Sequence, residues 1–210
     1  MFSGIVREIG TVVQAGDVLV VRAPATAASC RTGDSVSISG ACLTAERVES
    51  GHMHFRLMPR TLAGTALARA VAGKRVNVEP SLRLGDRVGG HIVLGHVDAV
   101  GSVSHFRRQG DSAVLEVSCP VSIMPYLAPK GSIAVDGVSL TVSDVRAQGF
   151  AVSLVKFTLE NTTLGELRAG EEVNLEADIL AKYVDSVLGS RSEREQPALT
   201  LESLAEEGYL

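Results

Sequence analysis

Ser39-Gly40-Ala41-Cys42-Leu43-Thr44 and, 97 positions further on, Asp136-Gly137-Val138-Ser139-Leu140-Thr141 are two copies of one phrase. They anchor a gapless match of residues 35–81 onto residues 132–178. Identities include Gly40/Gly137, Leu43/Leu140, Thr44/Thr141, Val48/Val145, Leu57/Leu154, Thr61/Thr158, Leu62/Leu159, Thr65/Thr162, Gly73/Gly170, Asn77/Asn174 and Glu79/Glu176. A weaker match, shifted by 91, lays Gly4-Ile5-Val6 on Gly95-His96-Val97 and Gly10-Thr11-Val12 on Gly101-Ser102-Val103. Self-similarity at a fixed shift means a duplicated structural unit. The chain divides into residues 1–90, residues 91–178 and a tail, 179–210.

Within each copy, short runs rich in Val, Ile and Thr alternate with Gly, Asp and Ser, as in Asp17–Val21, Ser35–Ile38, Leu43–Val48, His54–Met58 and Lys74–Val78. Such spacing reads as strands. One stretch per copy, Thr61–Ala72 and Thr158–Ala169, suits a short helix, too few for βαβ units. About six strands per copy must hide their edges, so the expected fold is all-β: two homologous six-stranded antiparallel barrels followed by a C-terminal helix. That helix is marked by Ile179, Leu180, Tyr183, Val184, Val187 and Leu188, an apolar stripe that suits packing on its own barrel or self-association. Arg191–Pro197 reads as a polar linker, and Thr200 as the cap of a last helix through Ala205 that carries Leu201 and Leu204.

The 210 residues are 45% hydrophobic and 21% charged, which places the chain among folded globular proteins. A net charge of −4, with no basic run denser than Arg107-Arg108, gives no footprint for nucleic acid. The N-terminus has Arg7 and Glu8 before any run of signal-peptide length, and no stretch has the ~18 apolar residues of a membrane span, so a cytoplasmic protein is expected. Three cysteines, Cys30, Cys42 and Cys119, without CxxC spacing support neither a disulfide framework nor a zinc site.

Candidate chemistry lies where matched positions differ. Cys42 faces Ser139 in the alignment, Ser81 faces Asp178, Ile5 faces His96, and His91 has no counterpart. Cys42 in an apolar run also reads as a buried small hydrophobe. His91 and His96 fall on opposite faces of a regular strand, which argues against a shared metal. Gly89-Gly90 lacks the following Lys-Ser/Thr of a phosphate loop, and Ser139 lacks a nucleophile elbow. Asp178 equally suits the cap of the tail helix.

At these residues the sequence resembles the riboflavin synthases. The likeness runs from Met1-Phe2-Ser3-Gly4-Ile5-Val6 through residues 40–44, Gly-Gly-His-Ile-Val-Leu-Gly-His-Val-Asp at 89–98 and Asp-Gly-Val-Ser-Leu-Thr-Val at 136–142. It continues through Thr-Leu-Glu-Asn-Thr-Thr-Leu-Gly at 158–165, Val-Asn-Leu-Glu-Ala-Asp at 173–178, Ala-Lys-Tyr-Val at 181–184 and the tail at 199–204. The resemblance implies a homotrimer that turns two molecules of 6,7-dimethyl-8-ribityllumazine into riboflavin and a ribitylamino-pyrimidinedione. It implies no metal or organic cofactor, one lumazine per barrel, and an active site between the first barrel of one subunit and the second of its neighbour. Lumazine synthase is the protein partner it suggests. Catalysis would fall to Cys42, His91, His96, Ser139, Thr141 and Asp178. The first pocket would be lined by Gly4, Ile5, Val6, Cys42, Leu43, Thr44, Arg56, Leu57, Met58, Pro59, Arg60 and Thr61. The second would use Gly95, His96, Val97, Lys130, Ser139, Leu140, Thr141, Leu154, Val155, Lys156, Phe157, Thr158 and Leu159.

Arg60 stands where the family carries Glu, Val155-Lys156-Phe157 where it carries Ile-Pro-His or Ile-Pro-Glu, and Ser39 where it carries Asn. Thr65-Ala66-Leu67-Ala68 replaces its Thr-Asn-Leu-Gly. Two alternatives share the fold: a non-catalytic lumazine- or flavin-binding paralogue, and an enzyme acting on a modified lumazine.

Overall fold

A computed structural model of the chain describes residues 1–192. The first copy contributes β1 (Glu8–Gln14), β2 (Val18–Arg22), β3 (Ser35–Ile38), β4 (Ala41–Glu49), β5 (His52–Arg56) and β6 (Arg75–Pro80), closed in the order β1-β2-β5-β4-β3-β6. The second contributes β7 (Ala99–Gln109), β8 (Ser112–Ser118), β9 (Ser132–Val135), β10 (Val138–Arg146), β11 (Gly149–Leu154) and β12 (Glu172–Ala177), closed in the same relative order. Every strand pairing is antiparallel.

The pleat explains the sequence pattern: Ala41, Leu43 and Ala45 of β4 point inward while Thr44 points out, and Val138, Leu140 and Val142 of β10 repeat this around the exposed Thr141. Inward side chains fill each small barrel, with Leu19, Ile38, Met53 and Phe55 in the first and Leu115, Ile133, Phe150 and Leu154 in the second. Even the irregularities are duplicated. The β4–β5 ladder shifts between Ala45 and Arg47, and the β10–β11 ladder between Val142 and Asp144, the same places 97 residues apart.

Two-residue hairpins join β3 to β4 and β9 to β10, with φ positive at both central residues: 43° and 86° at Ser39-Gly40, 45° and 76° at Asp136-Gly137. Such turns match the strand twist, and their second position favours glycine. Glycine is doubly required here because the turn tips touch: a Cβ on Gly40 would lie 2.8 Å from the Gly137 amide nitrogen.

The expected helical stretches are each split. α2 (Pro59–Gly64) is followed by a 3-10 turn at Ala66–Arg69, and α3 (Lys156–Asn161) by one at Thr163–Glu166, while α1 (Pro24–Ala27) lies between the second and third strands of the first copy, where the second copy has a 3-10 segment. Thr65 and Thr162 break the helices because each is extended, its hydroxyl donating to the carbonyl four residues back and accepting the amide two residues on. The 3-10 segment at Val121–Tyr126 has no signature in the strand pattern. The tail helix α4 (Ile179–Ser192) follows β12 directly, and Asp178 caps it by accepting the Leu180 amide at 3.0 Å. Its stripe does not pack on the barrel: Leu180, Tyr183, Val184, Val187 and Leu188 are all 58–64% exposed. The expected linker beyond Ser192 and the last helix at Thr200–Ala205 lie outside the described residues. Among those described, no helix is long and apolar enough to cross a membrane.

The barrels face each other across a pseudo-twofold axis. The Asn77 side chain accepts the Thr163 amide and donates to the Asp136 carbonyl, while Asn174 accepts the Ala66 amide and donates to the Ser39 carbonyl, at 2.7–2.9 Å. These four bonds exchange on adding 97 to one partner and subtracting it from the other, the mark of an isologous contact.

Candidate active site

The candidate residues are assembled by two lead-in segments that cross between the barrels. Phe2 and Val93 form an antiparallel bridge, each amide donating to the other's carbonyl. Beyond it the Ser139 amide donates to the Gly4 carbonyl and the Cys42 amide to the Gly95 carbonyl, both at 2.8 Å. Gly4 lies so close to the second barrel that a Cβ would meet Ser139 at 2.6 Å, and a Cβ on Gly95 would meet Cys42 at 2.5 Å. Farther along, Val6 packs on the second barrel's core and Val97 on the first's. The structure therefore corrects the sequence assignment: the segment of Gly4, Ile5 and Val6 lies against the second barrel, and that of Gly95, His96 and Val97 against the first. The repeat shows that the two segments are equivalent, but not which barrel each one covers.

Two buried carboxylates hold the segments in place. Glu79 accepts the Ser3 amide at 2.8 Å, the Ser3 hydroxyl at 2.9 Å and the Gly4 amide at 3.1 Å. Glu176 accepts the Leu94 amide at 2.7 Å and the Gly95 amide at 2.9 Å. Burial pushes both carboxyls above the usual range, opposed by these backbone donors. Neither was among the candidate residues, nor was the fully buried Phe2. The available signal was Asn-x-Glu retained in both copies, a polar pair surviving in strands that are buried almost throughout.

In the second barrel, His91, Ser139 and Asp178 come together. His91 Nδ1 lies 2.7 Å from Ser139 Oγ, and Nε2 is buried without a partner among the described residues. Burial lowers the His91 pKa below its ordinary 6.5, against the opposing charge of Asp178. Thr141 is exposed two residues beyond Ser139 on the same strand face, and the Ser139 hydroxyl is held by His91 rather than by Thr141. In the first barrel Cys42 is half-buried against Phe2, Val93 and Ala134, with the exposed His96 one residue from its Gly95 neighbour. Residues 91–96 form no regular strand, only the Val93 bridge with Gly95 at φ 80°, so the contacts described above rather than a strand period place each histidine.

The remaining lining stretches take equivalent places in the two barrels. Arg56, Leu57, Met58 and Pro59 border an open cleft with Asp17, and Arg60 and Thr61 follow in the first turn of α2. In the second copy Leu154 is buried at the end of β11, Val155 and Phe157 are 61% and 71% exposed, and Lys156 Nζ lies 3.4 Å from Asp111. Thr158 and Leu159 are half-buried on α3, and Lys130 is exposed in the turn before β9 with φ 67°. Met58 and Val155, matched in the repeat, form an exposed apolar rim on each barrel. A separate cleft between the barrels, lined by Ser39, Asp136, Asn174 and charged residues of both copies, contains none of the candidate catalytic residues.

Comparison with known proteins bears on this arrangement. Residues 3–81 and 94–178 each match the family described as "Lumazine binding domain". A riboflavin synthase of Mycobacterium tuberculosis is 42% identical over 200 residues, covering 90% of this chain and 99% of that protein. Those of Actinobacillus pleuropneumoniae and Bacillus subtilis are 34% and 31% identical with both chains fully covered. Among solved structures, LumP complexed with riboflavin superposes with a TM-score of 0.79 at 22% identity, covering 84% of this chain and 99% of that one. LumP complexed with 6,7-dimethyl-8-(1'-D-ribityl) lumazine gives 0.76 over the same coverage. With both halves matched and full-length relatives above 30% identity, the chain belongs to the riboflavin synthase family of two-barrel lumazine-binding proteins.

Proposed function

We propose that the chain is a riboflavin synthase, converting two molecules of 6,7-dimethyl-8-ribityllumazine into riboflavin and 5-amino-6-(D-ribitylamino)uracil. One lumazine gives up a four-carbon unit, its two methyls with C6 and C7, and the other receives it. The exchange is redox-neutral overall, so it requires no external oxidant or reductant. Two identical molecules must act as donor and acceptor, and the observation that carries the reading is a duplicated fold with unlike chemistry at matched positions: a thiol at Cys42 and a hydroxyl with imidazole and carboxylate at Ser139, His91 and Asp178.

The first step is loss of a proton from the 7α-methyl, whose anion is delocalised into the ring, so a base of modest strength suffices. His96 is assigned this proton, with His91 as the second base. To act as a base, His91 donates its Nδ1–H to the Ser139 hydroxyl oxygen and presents an unprotonated Nε2 to a bound ring. Addition at C7 of the acceptor uses a nucleophile or activated water at Cys42, Ser139 or Asp178, with Thr141 beside Ser139. The lumazine edges and ribityl chains lie along the lining stretches named above. Aligning two rings face to face is worth roughly 7–11 kcal/mol by analogy with intramolecular reactions and is assigned the largest share of the rate.

The active protein is a homotrimer joined through the exposed stripe of α4, which lets the first barrel of one subunit face the second of the next. Association with lumazine synthase would place production and use of the lumazine together. The deciding measurement is riboflavin formation from 6,7-dimethyl-8-ribityllumazine, followed by absorbance. Turnover is expected in the unaltered chain, and Cys42→Ser and His96→Ala are expected to lower it by about 10²–10⁴. Ligand fluorescence that changes without turnover would favour a binding paralogue, and neither response would move the substrate to a modified lumazine.

A further inference from the structure

The contact across the pseudo-twofold is mirrored in its hydrogen bonds but not in its charges. Three positions that the repeat equates are basic in the first copy and acidic in the second: Arg69 against Glu166, Lys74 against Glu171, and Arg75 against Glu172. All six line the inter-barrel cleft, together with Arg168. Two ion pairs cross the axis, Arg69 with Glu172 and Arg75 with Glu166. They are one contact seen twice, because adding 97 to one partner and subtracting it from the other turns each pair into the other.

The asparagine bonds would be met equally well if a barrel faced a second copy of itself: Asn77 could accept an Ala66 amide and donate to a Ser39 carbonyl in place of their second-half counterparts. Glycine contact at the turn tips is equally indifferent, since residues 40 and 137 are both glycine. The charges are not. Two first barrels would set Arg69 against Arg75 twice, and two second barrels Glu166 against Glu172 twice. We infer that this charged rim makes each barrel's axis-facing surface accept the unlike barrel and reject a second copy of the same barrel. It thereby keeps each chain folded on itself rather than paired like with like between chains. Side-chain exposures of 29–74% put these charges at a rim, where they give little affinity but discriminate partners through like-charge juxtaposition.

The arithmetic supplies a switch in the full chain. Arg69→Glu with Glu166→Arg conserves net charge, makes both contacts within the chain like-charged, and makes both like-barrel contacts complementary. Adding Arg75→Glu and Glu172→Arg restores complementarity within the chain with reversed polarity. At low salt the double variant is expected to unfold several degrees below the unaltered chain, and the quadruple variant close to it. In about 1 M salt, where the Debye length is roughly 3 Å, the gap should close. After refolding at low salt, light scattering should show the double variant at twice the assembly mass of the other two, because like pairing can only be made between two chains. Equal low-salt midpoints in all three proteins, a quadruple variant no better than the double, or a gap that salt leaves untouched would overturn the inference. So would a double variant that stays at the unaltered mass.

Discussion

The two barrels share strand order, bulge positions, hairpin geometry and capping threonines, yet they differ at chosen side chains that face chemistry or charge. Cys42 stands for Ser139, Ser39 for Asp136, Arg75 for Glu172. The lesson is where duplication tolerates change. Asn77 and Asn174, and Glu79 and Glu176, stay identical, because altering one leaves buried backbone donors orphaned, whereas Ser39 and Asp136 differ while each still offers an oxygen to the equivalent amide. Positions that meet a ligand or a rim are free to diverge, and their divergence lets two equal folds take unequal parts.

Removing the shared carboxylates gives the largest expected effect. Glu79→Ala leaves two buried amides and a hydroxyl unpaired, and Glu176→Ala two amides, so each should cost about 3 kcal/mol, Glu79 the more. Denaturant unfolding would check this. The crossing of the segments adds a second reading: Glu79→Ala should weaken lumazine at the second barrel and Glu176→Ala at the first. Equal costs together with uncrossed ligand losses would break the comparison.

A smaller effect sharpens it at the turn tips. Ser39 Oγ accepts the Asn77 amide at 3.2 Å, and Asp136 Oδ1 accepts the Asn174 amide at 2.8 Å. Burial raises the Asp136 pKa from 3.8 to about 7, opposed by the Asn174 amide and Lys74 and assisted by Glu171. An acid with a raised folded pKa binds more protons folded than unfolded, so stability falls as pH climbs from about 4 to 7 and levels off above. Asp136→Asn keeps the acceptor and the left-handed backbone. It should flatten that slope and gain about 1 kcal/mol or more near pH 8 relative to the unaltered chain. Ser39→Asn, with no titration to remove, should leave the pH profile unchanged; thermal midpoints across pH would show both.

The smallest effect is a control on equivalence. Thr65→Ala and Thr162→Ala each remove a helix-breaking cap and should cost about 1 kcal/mol, equal within a few tenths. Unequal losses in denaturant midpoints would mean that the two copies no longer share their local energetics.

Most of the fold can be read from the sequence because the repeat fixes it twice. Ser35–Ile38 has its bounds as expected, and the other strands differ by one or two residues at each end where hairpin turns rather than hydrophobicity set the ends. Cys42, His91, His96, Ser139 and Asp178 stand out by asymmetry between the copies, whereas Thr141, identical to Thr44, comes only from the family resemblance. What the sequence does not carry is the crossing of residues 2–6 and 91–97, since no local preference tells an extended segment which of two like barrels to cover. The pairing Arg69–Glu172 and Arg75–Glu166 is hidden for the same reason: both partners are ordinary surface charges until the axis is known.

That crossing also sets an order of events during synthesis. At roughly 5–20 residues per second, the strands of the first barrel emerge by residue 80, but Gly95 and Val97, which cover Cys42 and close its core, follow about one to three seconds later. The N-terminal segment waits longer still, because Ser139 must be made before Gly4 has a partner. Neither barrel can be finished in isolation on the ribosome, so a prematurely terminated chain would expose Cys42 and a loose N-terminus to the protein-degrading machinery rather than persist as half an enzyme.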